Sequence, residues 1–382
     1  MNKVTDISLA DDSFISLHVQ LHNQLRHLIH SGRWLNATRI PSENELTSHL
    51  NISRSTVRLA LQQAELEGLI ERIAGRGTFV SYMPTKDHKS RLIGFVTGGI
   101  DAENHLLMLN GAEQEVRAHG YQLVFKTAKN QEEELRILDC VEQDNITGVL
   151  MWANANSAQA ANGNLTHYQQ VPVPVVLMDR KIASFNSDCV TSDNYGGGRA
   201  LMRHLVDLGH KQIVFMTHDI MEIFPVMERY RAYCDVMEEV GLPLLEPWII
   251  GQPNMEISAS YALQSSLDPE SLEIRQIKHY MSTVETRPTA IFALNDWLAL
   301  LAMRAMKQLD IRIPDALSVA GFDDIDLAVH LEVPLTTVAQ DPFQIGKRAA
   351  QLLLDRLENN THRARLEIIP TELRIRSSTS AI

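Results

Sequence analysis

PSENELTSHLNISRSTVRLA, residues 41–60, decides the fold of the amino-terminal segment. Ser42 and Glu45 stand three apart, the spacing at which each side chain meets the other's backbone N–H in a capping box. Pro41 stops any helix entering from upstream. The spacing therefore predicts a helix from about Glu43 to Leu50. The short "NIS" then turns the chain, Ser53 caps a second helix over 54–67, and Gly68 suits a left-handed terminator. On a helical wheel Val57, Ala60, Leu61 and Ala64 share one side, and Arg54, Ser55, Arg58 and Gln62 the other. One face packs while the other offers hydrogen-bond donors. That is helix-turn-helix geometry, in which the second helix can enter a major groove.

Working outward, LIERIAGRGTFV (69–80) reads as two short strands around a Gly-Arg-Gly turn. Gly75 and Gly77 permit positive φ there and Arg76 sits at the tip. Upstream, Leu17, Leu21, Leu25 and Leu28 form one apolar stripe, a packing helix ended at Gly32. His18, His22, His27 and His30 on this helix have a spacing that invites a metal. No Cys or carboxylate partner is near in sequence, so a polar helix face is expected and no metal.

Three helices and a hairpin make a winged helix-turn-helix. The run from "RIPSENEL" to "GRGTFV" resembles the DNA-binding domain of the GntR family, over about residues 14–82. The resemblance implies that the arginine before Pro-Ser-Glu, the start of the second helix of the motif, and the wing tip meet DNA. By position these are Arg39; Arg54, Ser55, Thr56 and Arg58; and Arg76, Gly77 and Thr78. Arginine offers bidentate contacts to guanine or phosphate, and glycine lets the backbone approach the duplex.

The charge distribution suits that division. The chain has 382 residues and a formal charge of −12. Residues 1–90 carry 10 Lys/Arg against 9 Asp/Glu, and the remainder 25 against 38. Such acidity argues against passive coating of nucleic acid or an anionic membrane, but not against a small domain with its cations on one face. Hydrophobic residues at 45% supply a core for two or three domains. No apolar run is long enough to span a bilayer, and no secretory signal is visible. Cys140, Cys189 and Cys234 are too scattered for a disulfide framework or zinc site, which fits a reducing cytoplasm.

A polar stretch follows, with residues 83–90 expected as a linker. Beyond it, continuous apolar strands ("LIGFVTG", "TGVLMWAN", "VPVVLMD", "QIVFMTHD", "TAIFALND") alternate with amphipathic helices. That pattern predicts parallel sheets covered on both faces, an α/β body. Its length favours two lobes over one sheet. Ligands of such sheets bind beyond the carboxyl ends of the strands. Those ends offer Asp101, Trp152 and Asn154, Asp179 and Arg180, Asp193 and Asn194, His218 and Asp219, Asn295 and Asp296, and Asp323 and Asp324. Carboxylates and amides suit a neutral polyhydroxylated ligand, with Trp152 placed to stack on C–H faces. "NYGGGRA" lacks the Lys-Ser/Thr ending of a P-loop and the dinucleotide spacing. Its glycines are expected to serve close strand-to-helix passage. The aspartates of "GFDDID" are expected to cap or line a hinge, not to hold Mg²⁺.

Residues 91–376 resemble the effector-binding domain of LacI-family regulators, a periplasmic-binding-protein-like fold. The matching stretches begin "SDNYGGGRALMRHL" (192), "RPTAIFALND" (287) and "PLTTVAQDPFQIG" (334). The resemblance implies lobe 1 at about 91–190 plus 325–355 and lobe 2 at about 191–324 plus 363–376. It also implies effector contacts from Asp296, Asp179 and Arg229, the last in "RYRAY", where Ala232 replaces the family's usual glycine. With the strand-end residues, the candidate effector set is Asp101, Trp152, Asp179, Arg180, Arg229, Asn295, Asp296 and Asp323. The expected protein is a cytoplasmic, homodimeric, sequence-specific regulator of double-stranded operator DNA, a repressor released by a small sugar-like effector. It needs no cofactor. The alternatives are a ligand-responsive activator and a sugar-processing enzyme. The chain has neither a Gly-x-Ser-x-Gly elbow nor an HExxH helix to support the latter.

Overall fold

The computed structural model describes residues 4–7, 9, 16–30, 33–73, 75–81, 91–99, 103–154, 165–251, 271–358 and 363–382. The expected linker at 83–90 lies outside them. Residues Met1–Lys89 and Ser90–Ile382 form two compact units.

In the first unit, α1 (Leu17–His30), α2 (Glu43–Leu50) and α3 (Arg54–Leu66) are followed by β1 (Ile70–Ile73) and β2 (Gly77–Val80). The capping box at α2 is complete: the Ser42 N–H donates to Glu45 Oε2 at 2.7 Å, and the Glu45 N–H to Ser42 Oγ at 3.3 Å. Ser53 caps α3, accepting from the Thr56 N–H at 3.1 Å. Val57, Ala60, Leu61 and Ala64 are its buried residues. They pack with Leu21, Leu25, Leu28, Trp34 and Leu46. The wing is antiparallel, Ile70 opposite Val80 and Ile73 opposite Gly77. Gly75 and Gly77 take φ of 74° and 113° at its turn. The segment before Pro41 also joins it, because the Ile40 N–H donates to Thr78 O and the Val80 N–H to Thr38 O.

The second unit contains β3 (Leu92–Thr97), α4 (Glu103–Ala118), β4 (Gln122–Thr127), α5 (Gln131–Asp139), β5 (Ile146–Met151), α6 (Leu165–Gln169), β6 (Val175–Met178) and β7 (Asp188–Ser192). Next come α7 (Asn194–Asp207), β8 (Ile213–Thr217), α8 (Phe224–Glu239), β9 (Trp248–Ile249), α9 (Leu272–Thr283), β10 (Ala290–Ala293), α10 (Asp296–Gln308) and β11 (Ser318–Ala320). The chain ends with β12 (Thr337–Ala339), α11 (Pro342–Leu357), β13 (Leu366–Ile369) and β14 (Glu372–Arg374). Strands β13-β7-β6-β5-β3-β4 form one parallel sheet and β11-β10-β8-β9 another. Each sheet carries its own apolar core, which gives two lobes. The short antiparallel pair β12-β14 packs against the second lobe, with Val338 in its core and Leu373 against it.

Three boundaries differ from expectation. Residues 325–338, expected in lobe 1, put Ile325, Ala328, Leu335 and Val338 into the second lobe's core, because Thr336 bridges Ala320 at the edge of that sheet. Within residues 363–376, expected in lobe 2, Leu373 of β14 does pack on the second lobe's core, whereas β13 pairs in parallel with β7 in the first lobe's sheet, Leu366 opposite Cys189. The reason is an open ladder: β7 is buried throughout and needs a partner on its far side. The second lobe also runs past 376. Ser378 is fully buried, the Val319 N–H donates to its carbonyl, and the Ile382 N–H donates to Leu208 O.

Glycine governs one helix contact. A Cβ on Gly111 of α4 would collide with Phe343 O, and one on Gly346 of α11 with Met108 O. Each helix thus leaves a notch for the other's backbone.

Candidate nucleic-acid interface and effector cleft

On the first unit, Arg54, Ser55 and Arg58 are exposed along α3, opposite its apolar face. Thr56 is half-buried, with its Oγ1 2.8 Å from Ser53 Oγ, so it stiffens the helix start. Arg58 Nη2 lies 3.5 Å from Glu43, a loose pair that contributes little to stability. Arg76 is exposed at the wing turn. The Arg39 guanidinium lies so close over Gly77 that a Cβ there would be 2.9 Å from its Nε. A side chain at 77 would displace Arg39, so Arg39, Gly77 and half-buried Thr78 act as one surface. His22 departs from expectation: it is 8% exposed and its Nε2 is 3.0 Å from Glu67 Oε2. It joins α1 to the end of α3; the carboxylate partner is remote in sequence and so was not legible.

On the second unit, a cleft of about 170 Å³ opens beyond the strand ends of both sheets. Trp152, Asp179 and Arg180 line it from the first lobe, and Arg229, Asn295 and Asp323 from the second. Arg229 organises the second-lobe side. Its Nε donates to Asn194 Oδ1 at 2.9 Å, its Nη1 to Leu294 O at 2.7 Å, and its Nη2 is 3.6 Å from Asp323 Oδ1. The guanidinium also lies 3.7 Å over the Phe322 ring. Burial pushes the Asp323 carboxyl up to about 7, against the pull of Arg229. Gln340 Nε2 donates to the same carboxylate. Asn194 and Gln340 stand on crossings between the lobes, so the charged centre of the cleft is tied to the hinge.

On the first-lobe side, Arg180 lies 3.4 Å over the Trp152 ring and donates through Nη1 to Ala153 O at 3.3 Å. His105 meets the same ring edge-on at 4.3 Å. Trp152 Nε1 donates to Asp179 Oδ2 at 3.4 Å. The tryptophan therefore orients Asp179 and Arg180, and it still borders the cleft.

One further expectation changes. Asp296 was expected in the effector set, but it is fully buried and does not line the cleft. Its Oδ2 accepts from the Ile325 N–H at 3.0 Å and its Oδ1 from Thr337 Oγ1 at 2.5 Å. Burial pushes its carboxyl up to about 6. It pins the loop after β11, whereas neighbouring Asn295 caps α10 and reaches the cleft. Asp101 lies outside the described residues. Glu103, Asn104, His105 and Gln340 line the cleft without having been singled out. Gln340 follows β12, three residues long and too short for a periodicity to show. In "NYGGGRA", Asp193 caps α7 by accepting from the Gly196 N–H at 2.8 Å, while a Cβ on Gly197 or Gly198 would strike Thr371 or Ala232.

Comparison with known proteins follows this division. Residues 17–80 match the model of bacterial regulatory proteins, gntR family, and residues 202–379 that of a periplasmic binding protein-like domain. The arabinose metabolism transcriptional repressor of Geobacillus stearothermophilus is 30% identical over 373 residues, covering 96% of this chain and 98% of that one. The chain is a DNA-binding transcriptional regulator of the gntR family. The regulator's second unit has the LacI-type fold. A LacI family transcriptional regulator from Enterococcus faecium with bound ribose superposes with a TM-score of 0.61 at 24% identity, over 76% of this chain and 99% of that one. A periplasmic binding protein/LacI transcriptional regulator from Alkaliphilus metalliredigens with D-xylulofuranose gives 0.61 at 21%, with the same coverage. Among the regulator's described residues no helix is long and apolar enough to cross a membrane.

Proposed function

We propose that the regulator is a cytoplasmic homodimeric repressor whose two winged units hold a two-fold operator until a small neutral sugar enters the cleft. The carrying observation is the cleft itself. At about 170 Å³ it is well below the roughly 300–1,000 Å³ of a drug-sized pocket, and it suits a monosaccharide. It sets Asp179 and Asp323 against Arg180 and Arg229, a charge balance that favours a neutral ligand with many hydroxyls. Pentoses head the candidates, because a relative is named for arabinose and two structures of this fold hold ribose and xylulose.

The effector acts through the hinge. A sugar hydroxyl pair on Asp323 competes with Gln340 and draws on Arg229, which also holds Asn194. The lobes then settle at a different angle, and the spacing of the two winged units in the dimer no longer fits the operator. Arg54 and Arg58 on α3 read the major groove, while Arg39, Arg76, Gly77 and Thr78 follow the backbone at the wing. A mobility shift on the regulator's own upstream DNA, with and without arabinose, ribose and xylulose, tests the proposal. The expected result is a retarded band abolished by one of these sugars; a band insensitive to all three would refute the assigned effector class.

A further inference from the structure

His218 stands at the carboxyl end of β8 on the second-lobe wall of the cleft, 8% exposed. Its backbone is fixed, because its carbonyl accepts from the Ile220 N–H at 2.9 Å and from Thr217 Oγ1 at 3.0 Å. Its ring is fixed as well: Nδ1 lies 2.9 Å from the carbonyl oxygen of Ile250. A carbonyl only accepts, so Nδ1 carries the hydrogen. Burial pushes the imidazole below its ordinary value, with the Ile250 carbonyl and the Glu273 carboxylate opposing, so the ring is neutral at pH 7. Nε2 is then a bare lone pair, and among the described residues none hydrogen-bonds it. The adjoining wall is apolar, formed by Ile220, Ile223, Pro225 and Val226.

We propose that His218 is a specificity determinant of the cleft, accepting through Nε2 one hydrogen bond from a hydroxyl of the effector. The inference rests on the sugar-sensor assignment above. Its content is directional. The carboxyls of Asp179 and Asp323 can each take several hydrogen bonds, so they tolerate hydroxyls in many arrangements. His218 accepts one, along one line, from one position on the ligand. A carbonyl, carboxylate or phosphate oxygen there meets lone pair with lone pair and is rejected. A deoxy analogue leaves Nε2 buried without a partner and is rejected too.

Calorimetric titration of the full-length protein with arabinose, ribose and xylulose tests this, using wild type, His218→Phe and His218→Gln. The sugar that binds wild type should bind His218→Phe roughly ten- to a hundred-fold more weakly. His218→Gln should recover part of the loss, because its Oε1 is again an acceptor; a cooperative melt of each variant reports that it has folded. A second readout separates contact from mere support. In ¹⁵N spectra, the His218 Nε2 resonance, assigned by its absence from His218→Gln, should be that of an unprotonated nitrogen and should move when sugar is added. Equal affinity of wild type and His218→Phe, or a protonated Nε2 in the free protein, overturns the assignment of His218. Failure of all three sugars to bind wild type overturns the sugar-sensor assignment itself, and this inference with it.

Discussion

At Arg229 one guanidinium meets the hinge through Asn194, the end of β10 through Leu294 O, and the ligand side through Asp323. Lysine keeps the charge but cannot fork between three acceptors. Arg229→Lys should therefore lower the stability of the second unit by about 1–3 kcal/mol, for buried acceptors left without a donor. Thermal unfolding measures it. Asp323 makes the same centre sensitive to pH. Its carboxyl rises from 3.8 to about 7 on folding, so the folded state binds its proton more tightly than the unfolded chain. Its contribution to stability therefore falls as pH climbs from about 4 to 7. Asp323→Asn should flatten that slope in melting temperatures taken across the range; an unchanged slope would place the titration elsewhere. On the winged unit, Arg54→Ala or Arg58→Ala should each cost about 1–3 kcal/mol of operator affinity where the side chain reads a base. If it touches phosphate, the salt dependence should become shallower by about one counterion. Fluorescence anisotropy over a salt series distinguishes the two.

At the level of elements, the notch between α4 and α11 sets how closely the helices covering the first lobe's sheet can approach. Gly346→Ala drives a methyl into Met108 O, and neither helix backbone can retreat without lifting off the sheet. The expected cost is at least the roughly 1–3 kcal/mol of an overpacked core, seen as a lower denaturation midpoint. Nothing in the sequence alone betrays such a notch, because Gly111 and Gly346 are 235 positions apart. What was legible was local. Ser42 with Glu45, Ser53, and the stripe Val57–Ala60–Leu61–Ala64 announced α2 and α3, since capping and amphipathicity are written within a turn or two. The strand ends likewise announced Asp179, Arg180, Asn295 and Asp323, while Arg229, inside α8, came only from the family resemblance. Long-range geometry was not legible: the covering of Trp152 by Arg180 and His105, the internal pairing of Asp296, and the attachment of β13 to β7. Each depends on residues brought together only by the finished fold.

For the whole molecule, the proposed switch couples two equilibria. If a sugar weakens operator binding by some factor, operator DNA must weaken sugar binding by the same factor. Titrating sugar into free and operator-bound protein should give matching ratios, and unequal ratios would mean that a further species takes part. The interleaving of the lobes bears on something else, the order of events on the ribosome. Every described element of the winged unit has been synthesised by residue 81, long before either lobe of the sensor is complete. One lobe awaits Leu366–Ile369, and the other awaits Ser378 and Ile382. Under the proposed switch, a chain whose translation stalls late would carry a winged unit without the sensor that is to release it.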